Sequence, residues 1–454
     1  MLAEGGPPVA TWKKLLYSSG SIGSSLAHQA LSAYLYFFYV DVSRMAPAVV
    51  SVGLVLYSLW NAVNDPLLGF ISDRTRTRWG RRIPYVVAGA LPLGIAFYLV
   101  WVPYTFFGSG VPPLWYFLAV TFLFDFFYTL VVLNWTALFP EMFPSLEERA
   151  QVSAWRQLFG LIGLAAALGG APLIYSSLGW PAMGLLFGGL TALTLGLSVL
   201  GAREDPSKRG EDVGLVEAVK LTVVNRSFVS FALTSFLIQL VFALLLAALP
   251  FYVKYVLQLE SVALTALQAG LILVTVVSLL IWRRLAVAWG PKRAMQRSIL
   301  LFAAALLLFW FPQSLEGAVA ATAAVGLGLG GILLLLDVLL SDVIDEDALR
   351  SGARREGMYF GVHALILRLN ISVQGLIQGA VLTATGYNAA LAIQPDSAIL
   401  GIRLLMTVIP IAIALAALFA LSFYPLAGER LAAVKEALRR QEGLAAPGSP
   451  RAGS

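Results

Sequence analysis

The chain has 454 residues, 59% of them hydrophobic and 12% charged, with no cysteine and a formal net charge of +6. Soluble domains carry about 25% charged residues, so half that share, at a mean hydropathy of +0.81, excludes an ordinary water-soluble globule. The missing cysteines exclude disulfides, thiolate metal sites and cysteine nucleophiles.

Apolar runs of about 20 residues are what a helix needs to cross the hydrocarbon core, and twelve are predicted. The first six cover 15–40, 47–72, 83–104, 113–140, 149–176 and 180–200; the second six cover 228–256, 262–286, 295–314, 317–341, 357–385 and 400–425. Residues 1–8 lack the short apolar region and cleavage site of a signal peptide, so the first span reads as an uncleaved anchor. A polar break containing Arg203, Glu204, Asp205, Lys208, Arg209, Glu211 and Asp212 separates six spans from six and ends in an amphipathic piece near 215–224. The expected organisation is a bundle over 1–200, a cytoplasmic linker over 201–227, a bundle over 228–425 and a cytoplasmic tail over 426–454. The tail reads as a short helix at 428–441 followed by disorder.

A repeat supports duplication. Trp79-Gly80-Arg81-Arg82 follows the second span, and Trp289-Gly290-Pro291-Lys292-Arg293 follows the eighth. Of the Lys and Arg residues, Arg44, Lys254 and Arg403 fall in alternate loops and Arg156 and Arg368 inside spans; the rest lie at the termini or in the other loops. That asymmetry places both termini in the cytoplasm of a plasma or inner membrane. The basicity therefore records topology, and no nucleic-acid partner is expected.

Polar residues inside spans are costly and mark binding or transfer sites. On the first span, Ser21, Ser25, His28 and Ser32 share one face. A cavity lining and a small-residue packing face are both open for the serines; His28 favours the cavity. On the second, Ser58, Asn61 and Asp65 share a face, with Asn64 beside Asp65, and these oxygens suit a small hard cation or a proton. A capping or locking role is the alternative for Asp65. The fourth span carries Asp125 among aromatics, in a stripe with Thr129, Val132 and Thr136, and then Trp135. Arg156 on the fifth span is the expected partner of Asp125. Asp337 interrupts the tenth span, read as a structural partner, and the eleventh presents His363, Arg368, Asn370, Gln374 and Gln378. Charged loops after the fourth span (Glu141, Glu147, Glu148, Arg149) and after the tenth (Asp342 to Asp347, Arg350, Arg354, Arg355, Glu356) would form a cytoplasmic ion-pair gate.

Three blocks carry a resemblance: Trp60-Asn61-Ala62-Val63-Asn64-Asp65-Pro66-Leu67-Leu68-Gly69, then Ala137-Leu138-Phe139-Pro140-Glu141 with Glu147-Glu148-Arg149, then Asp342-Val343-Ile344-Asp345 with Arg354-Arg355-Glu356-Gly357. They resemble the glycoside–pentoside–hexuronide:cation symporter family, of which the melibiose permease is the best-known member. The resemblance implies an all-α membrane protein of the major facilitator fold, twelve transmembrane helices in two six-helix bundles, and alternating access. It implies a cation site on the second span at two acidic positions one turn apart, here Asn61 and Asp65. The family's lysine on the eleventh span aligns with Arg368 and its arginine on the fifth with Arg156. The acids that grip sugar in the melibiose permease fall at Ser25 and Val132, so both are missing.

The expected function is symport of a sugar, glycoside or related solute with Na+ or H+, and not an enzyme. Asp65, Asn61 and Asn64 are assigned to the cation, and Ser25, His28, Asp125, Trp135, Arg156 and Arg368 to the solute. No cofactor is expected beyond the coupling ion and no metal beyond a possible Na+ at Asp65. The expected partners are the solute and the bilayer, with the chain a monomer. A lysophospholipid carrier of the same fold and a transport-inactive solute sensor are the alternatives.

Overall fold

The computed structural model describes residues 9–102, 110–143, 146–200, 202, 222, 224–311, 314–351 and 355–441. Among them every regular element is helical. In chain order these are α1 (Thr11–Phe37), α2 (Pro47–Arg74), α3 (Ile83–Val100), α4 (Leu114–Met142), α5 (Leu146–Ala165), α6 (Ala171–Leu178) and α7 (Trp180–Ser198). There follow α8 (Arg226–Phe251), α9 (Ala263–Trp289), α10 (Pro291–Leu306), α11 (Leu315–Ser351), α12 (Glu356–Arg368), α13 (Asn370–Ala384), α14 (Asp396–Met406), α15 (Val408–Ser422) and α16 (Gly428–Gln441).

Three spans are helix pairs: α5 passes through a π turn at Ala166–Gly170 into α6, α12 breaks at Leu369 before α13, and α14 breaks at Thr407 before α15. Eleven spans among the described residues are long and apolar enough to cross a membrane. The helix left out of that count is α1, which has the length, at 27 residues. Its serines, His28 and Gln29 lower its hydropathy, so the polar stripe that marks it for function also makes it the least apolar crossing. The predicted ends hold to within a few residues, with one correction. The acidic stretch Ser341 to Asp347, expected as a loop, continues α11 as helix to Ser351. Basic partners explain this: Arg350 and Arg430 reach Glu346, and Lys435 reaches Asp342. The tail helix is therefore packed on α11 rather than lying loose. Residues 442–454 and most of the expected linker lie outside the described residues.

The duplication is written into the backbone. α1 ends in a π turn, Phe38–Val42, and α8 ends in another, Tyr252–Val256. Ser43 N–H bonds Phe38 O and Met45 N–H bonds Tyr39 O; Leu257 N–H bonds Tyr252 O and Leu259 N–H bonds Val253 O. The next residues to note are Arg44 and Gln258, the two non-glycine residues with positive φ among those described, at 59° and 53°. Side chains seldom accept that region, yet both halves use it at one offset (258 − 44 = 214).

Two compact units form. The first comprises Met1–Gly210, Ala243–Ala269 and Ile371–Ile402; the second comprises Glu211–Phe242, Gly270–Asn370 and Arg403–Ser454. In the first, α1 packs on α5 and α7, and α3 on α4 and α7. The α3–α7 contact is backbone on backbone: a Cβ on Gly188 would sit 2.4 Å from the carbonyl oxygen of Gly94. In the second unit α10 packs on α11 and α15, and Gly328 leaves room for the backbone of Phe302. Small residues permit such approach between helices in lipid, where dispersion rather than water exclusion drives association.

Candidate functional site

A buried polar cluster inside the spans of the first unit lies between α2 and α4. Tyr57, Asn61 and Asn64 follow at steps of four and three, so they share the face of α2 that meets α4. All three donate to Asp125, which is 2% exposed. Tyr57 Oη and Asn61 Nδ2 reach Asp125 Oδ1 at 3.0 and 2.6 Å, and Asn64 Nδ2 reaches Oδ2 at 3.1 Å. One turn further along both helices, Thr129 Oγ1 donates to Asp65 Oδ1 at 2.8 Å. The two helices thus exchange carboxylates, each acid held by the neighbouring helix.

Asp125 makes no ion pair among the described residues, so neutral donors alone compensate its charge. Beside it, the Oδ1 of Asn64 is buried with no hydrogen-bond partner. A buried carboxylate next to an unspent carbonyl oxygen is a donor set that could hold a small hard cation, which takes oxygen ligands, or a proton. Asn61 and Asn64, expected at Asp65, are thereby brought to Asp125. Tyr57 was missed in the sequence, although its place four residues before Asn61 was the available signal.

Tyr128, three residues after Asp125, connects this nest to α1. Its hydroxyl donates to Ser24 O at 3.2 Å, and its ring stacks on His28 with centroids 6.3 Å apart. Ser25 is half-buried, its Cβ 3.1 Å from where a Cβ on Gly163 of α5 would lie, so this part of the serine stripe serves helix packing.

The expected Asp125–Arg156 pair does not form. Arg156, on α5, meets the last turns of α4 at Trp135 and Phe139, well beyond Asp125. Its guanidinium stacks over Trp135 at 4.6 Å and Phe139 at 5.1 Å. Trp135 is itself 2% exposed: its indole N–H donates to Tyr17 O at 3.2 Å, and Tyr17 Oη donates to Trp135 O at 2.8 Å. Nearby, Lys14 pairs with Glu148 at 3.0 Å. The rest of the acidic side of the expected gate, Glu141 and Glu147, lies outside the described side chains.

A second cluster joins the far ends of α1, α8 and α13 within the first unit. Asp41, 6% exposed, accepts from Lys254 Nζ at 2.6 Å, from Tyr387 Oη at 2.6 Å and from Tyr255 Oη. Burial, then the neighbouring carboxylate, pushes the Tyr387 phenol well above its ordinary value, which keeps it a donor. Behind this latch, Ser51 Oγ donates to Gly375 O at 2.6 Å, and Ser372 bonds Leu54 O at 3.0 Å and the hydroxyl of Ser58. Sequence reading placed Lys254 in a loop but did not find the acid that holds it.

In the second unit Arg368 is the last residue of α12, half-buried at the break before α13. Asp337 is exposed midway along α11, and His363 Nε2 lies 2.8 Å from Ser235 Oγ.

The family model described as MFS/sugar transport protein matches residues 16–428. The chain belongs to that family. The resemblance to the glycoside–pentoside–hexuronide:cation symporters is borne out with it: the putative glycoside/cation symporter YagG of Escherichia coli (strain K12) is 26% identical over 97% of this chain and 98% of its own length. The sodium-dependent lysophosphatidylcholine symporter 1-A of Danio rerio is 24% identical, covering 93% of this chain and 87% of its own. Among solved structures, the nucleoside transporter NupG (D323A mutant) superposes with a TM-score of 0.65 at 13% identity, covering 91% of this chain and 100% of that one. That likeness is one of fold alone. This family member is a multi-pass membrane transporter of the major facilitator fold.

Proposed function

We propose that this chain is a symporter that couples entry of a sugar or glycoside to Na+ or H+ by alternating access, without other cofactors. The observation that carries the reading is the nest of Asp125, Asn61 and Asn64, with Asp65 one turn away. A carboxylate held at membrane depth by neutral donors, beside an unspent amide oxygen, is stabilised when a cation or proton arrives. Asp65 and Asp125 take the coupling ion, with Asn64 Oδ1 as a further ligand.

The solute lies against the α1 stripe. His28 supplies a hydrogen-bonding group, Tyr128 supplies a flat apolar face, and Arg156 on its Trp135 shelf supplies a fixed cation. Such mixed apolar and polar linings suit small ligands. Because Tyr128 touches His28 and follows Asp125 on the same helix, neutralising Asp125 also resets the face the solute meets. With both termini cytoplasmic, the Asp41 latch is the outer gate, and its opening admits ion and solute.

The test is to reconstitute the purified chain and screen sugars, glycosides and lysophospholipids for thermal stabilisation at varied sodium and pH, then measure uptake of the hits. Stabilisation by a sugar that strengthens with sodium or acid, followed by uptake, supports the proposal. Response to lysophospholipids alone would replace the solute, and stabilisation without uptake would replace transport with sensing.

A further inference from the structure

The second unit contains a cavity of about 440 Å³ that the transport reading does not use. Its walls carry three guanidinium groups: Arg226 at the start of α8, Arg350 at the end of α11, and Arg430 in α16. Ser227 lies among them, and Phe423, Pro425 and Val224 form the rim. Phe423 and Val224 are 64% and 82% exposed, and the side chains of Arg350 and Arg430 are about half exposed, so apolar and cationic groups share the opening.

Glu346, which three donors hold, neighbours these lining residues. Its Oε1 accepts from Arg350 at 2.8 Å and Arg430 at 2.7 Å, and its Oε2 accepts from Ser227 Oγ at 2.5 Å. Each of those arginines gives one Nη2 to Glu346, leaving its other N–H groups unspent, and Arg226 makes no ion pair among the described residues. Three fixed cations face one fixed anion. The rim is held in place as well: Lys292 Nζ donates to Ser422 O at 2.9 Å and Tyr424 O at 2.6 Å, and Tyr424 Oη donates to Leu339 O at 2.9 Å. The first N–H groups of α8, those of Ser227 and Phe228, are already capped by Asn225 Oδ1, so the arginines carry the positive charge of the site.

We infer that this cavity is a binding site for a phosphate-type oxyanion. Guanidinium forks match the oxygens of phosphate, and cationic groups beside exposed apolar side chains match a lipid headgroup whose chains leave over Phe423. Because α16 contributes Arg430, an occupant ties the tail helix to α8 and α11. Its source is either an anionic phospholipid or free phosphate.

The experiment uses the full chain, purified and examined by native mass spectrometry and thermal unfolding with phosphatidylglycerol, phosphatidylcholine or inorganic phosphate. Arg226→Gln is the decisive variant because it leaves both Glu346 ion pairs intact; Arg430→Gln is the second, and Arg284→Gln, an exposed arginine on α9, controls for general charge. The wild type and Arg284→Gln should retain phosphatidylglycerol over phosphatidylcholine, with affinity falling about fivefold in Arg226→Gln. Stabilisation or displacement of the lipid by phosphate alone, lost in Arg226→Gln, also supports the site and names a soluble anion as its occupant. Equal lipid retention by Arg226→Gln, Arg430→Gln and Arg284→Gln, with no effect of phosphate on any of them, overturns the inference.

Discussion

The Asp41 latch gives the sharpest mechanical prediction. Asp41→Asn keeps the shape and one acceptor oxygen but removes the charge that three donors share. A hydrogen bond to a charged group contributes about 1.5–3 kcal/mol, against about 0.5–1.5 for a neutral one. Tyr255 and Tyr387 both lose that difference. Lys254, 47% exposed, loses an ion pair worth about 0–1 kcal/mol after solvent screening. The closed arrangement should weaken by about 2–4 kcal/mol, a shift of about 30- to 1,000-fold toward opening. The chain has no cysteine, so one introduced thiol reports without background. Ser58, 7% exposed and bonded to Ser372 behind the latch, is the position to use. In the Ser58→Cys chain, labelling by a membrane-impermeant maleimide from outside should be slow, and adding Asp41→Asn should accelerate it by the stated factor. Equal labelling rates in the two backgrounds would refute the latch as the element that holds this end shut.

Three further outcomes follow from packing and site geometry. Gly188→Val drives a side chain into the Gly94 carbonyl; overpacking costs about 1–3 kcal/mol and more where only backbone can yield, so thermal unfolding in detergent should show clear destabilisation, absent from Gly189→Val, where a Cβ meets nothing within 4 Å. Trp135→Phe removes the indole donor to Tyr17 and the better face for Arg156, worth together about 1–3 kcal/mol; its melting temperature should fall, and a wild-type value would show that the stack contributes nothing. Asn64→Leu removes the unspent oxygen and one donor to Asp125, and should abolish sodium- or acid-dependent ligand stabilisation while leaving the chain inserted; unchanged cation dependence would exclude Asn64 from the ion site.

Much of this arrangement was legible before any coordinates. Twelve hydrophobic runs and the alternation of basic loops define the fold because bilayer thickness and the positive-inside bias act on composition, which sequence displays directly. Asp65, Asn61 and Asn64 stood out for the same reason: polarity in lipid is conspicuous. What sequence could not display is which helix face meets which neighbour. Asn61 and Asn64 share a face, but only the packing of α2 on α4 turns their amides to Asp125. Arg156 was matched to Asp125 by charge, whereas its place on α5 sets it beside Trp135 and Phe139. Asp41 did not stand out because its partners Lys254 and Tyr387 lie more than two hundred residues away in sequence. The acidic end of α11 looked like a loop because its neutralising residues, Arg430 and Lys435, come from the tail.

The coupling claim rests on the two exchanged carboxylates, and solute accumulation in proteoliposomes tests it most directly. Wild type, Asp125→Asn and Asp65→Asn should be compared with an imposed sodium or proton gradient and without one, using the solute identified by stabilisation. The account predicts that wild type concentrates solute only when the gradient is present, and that each variant loses gradient-driven accumulation while remaining folded and inserted. Accumulation by both variants at the wild-type level would contradict it.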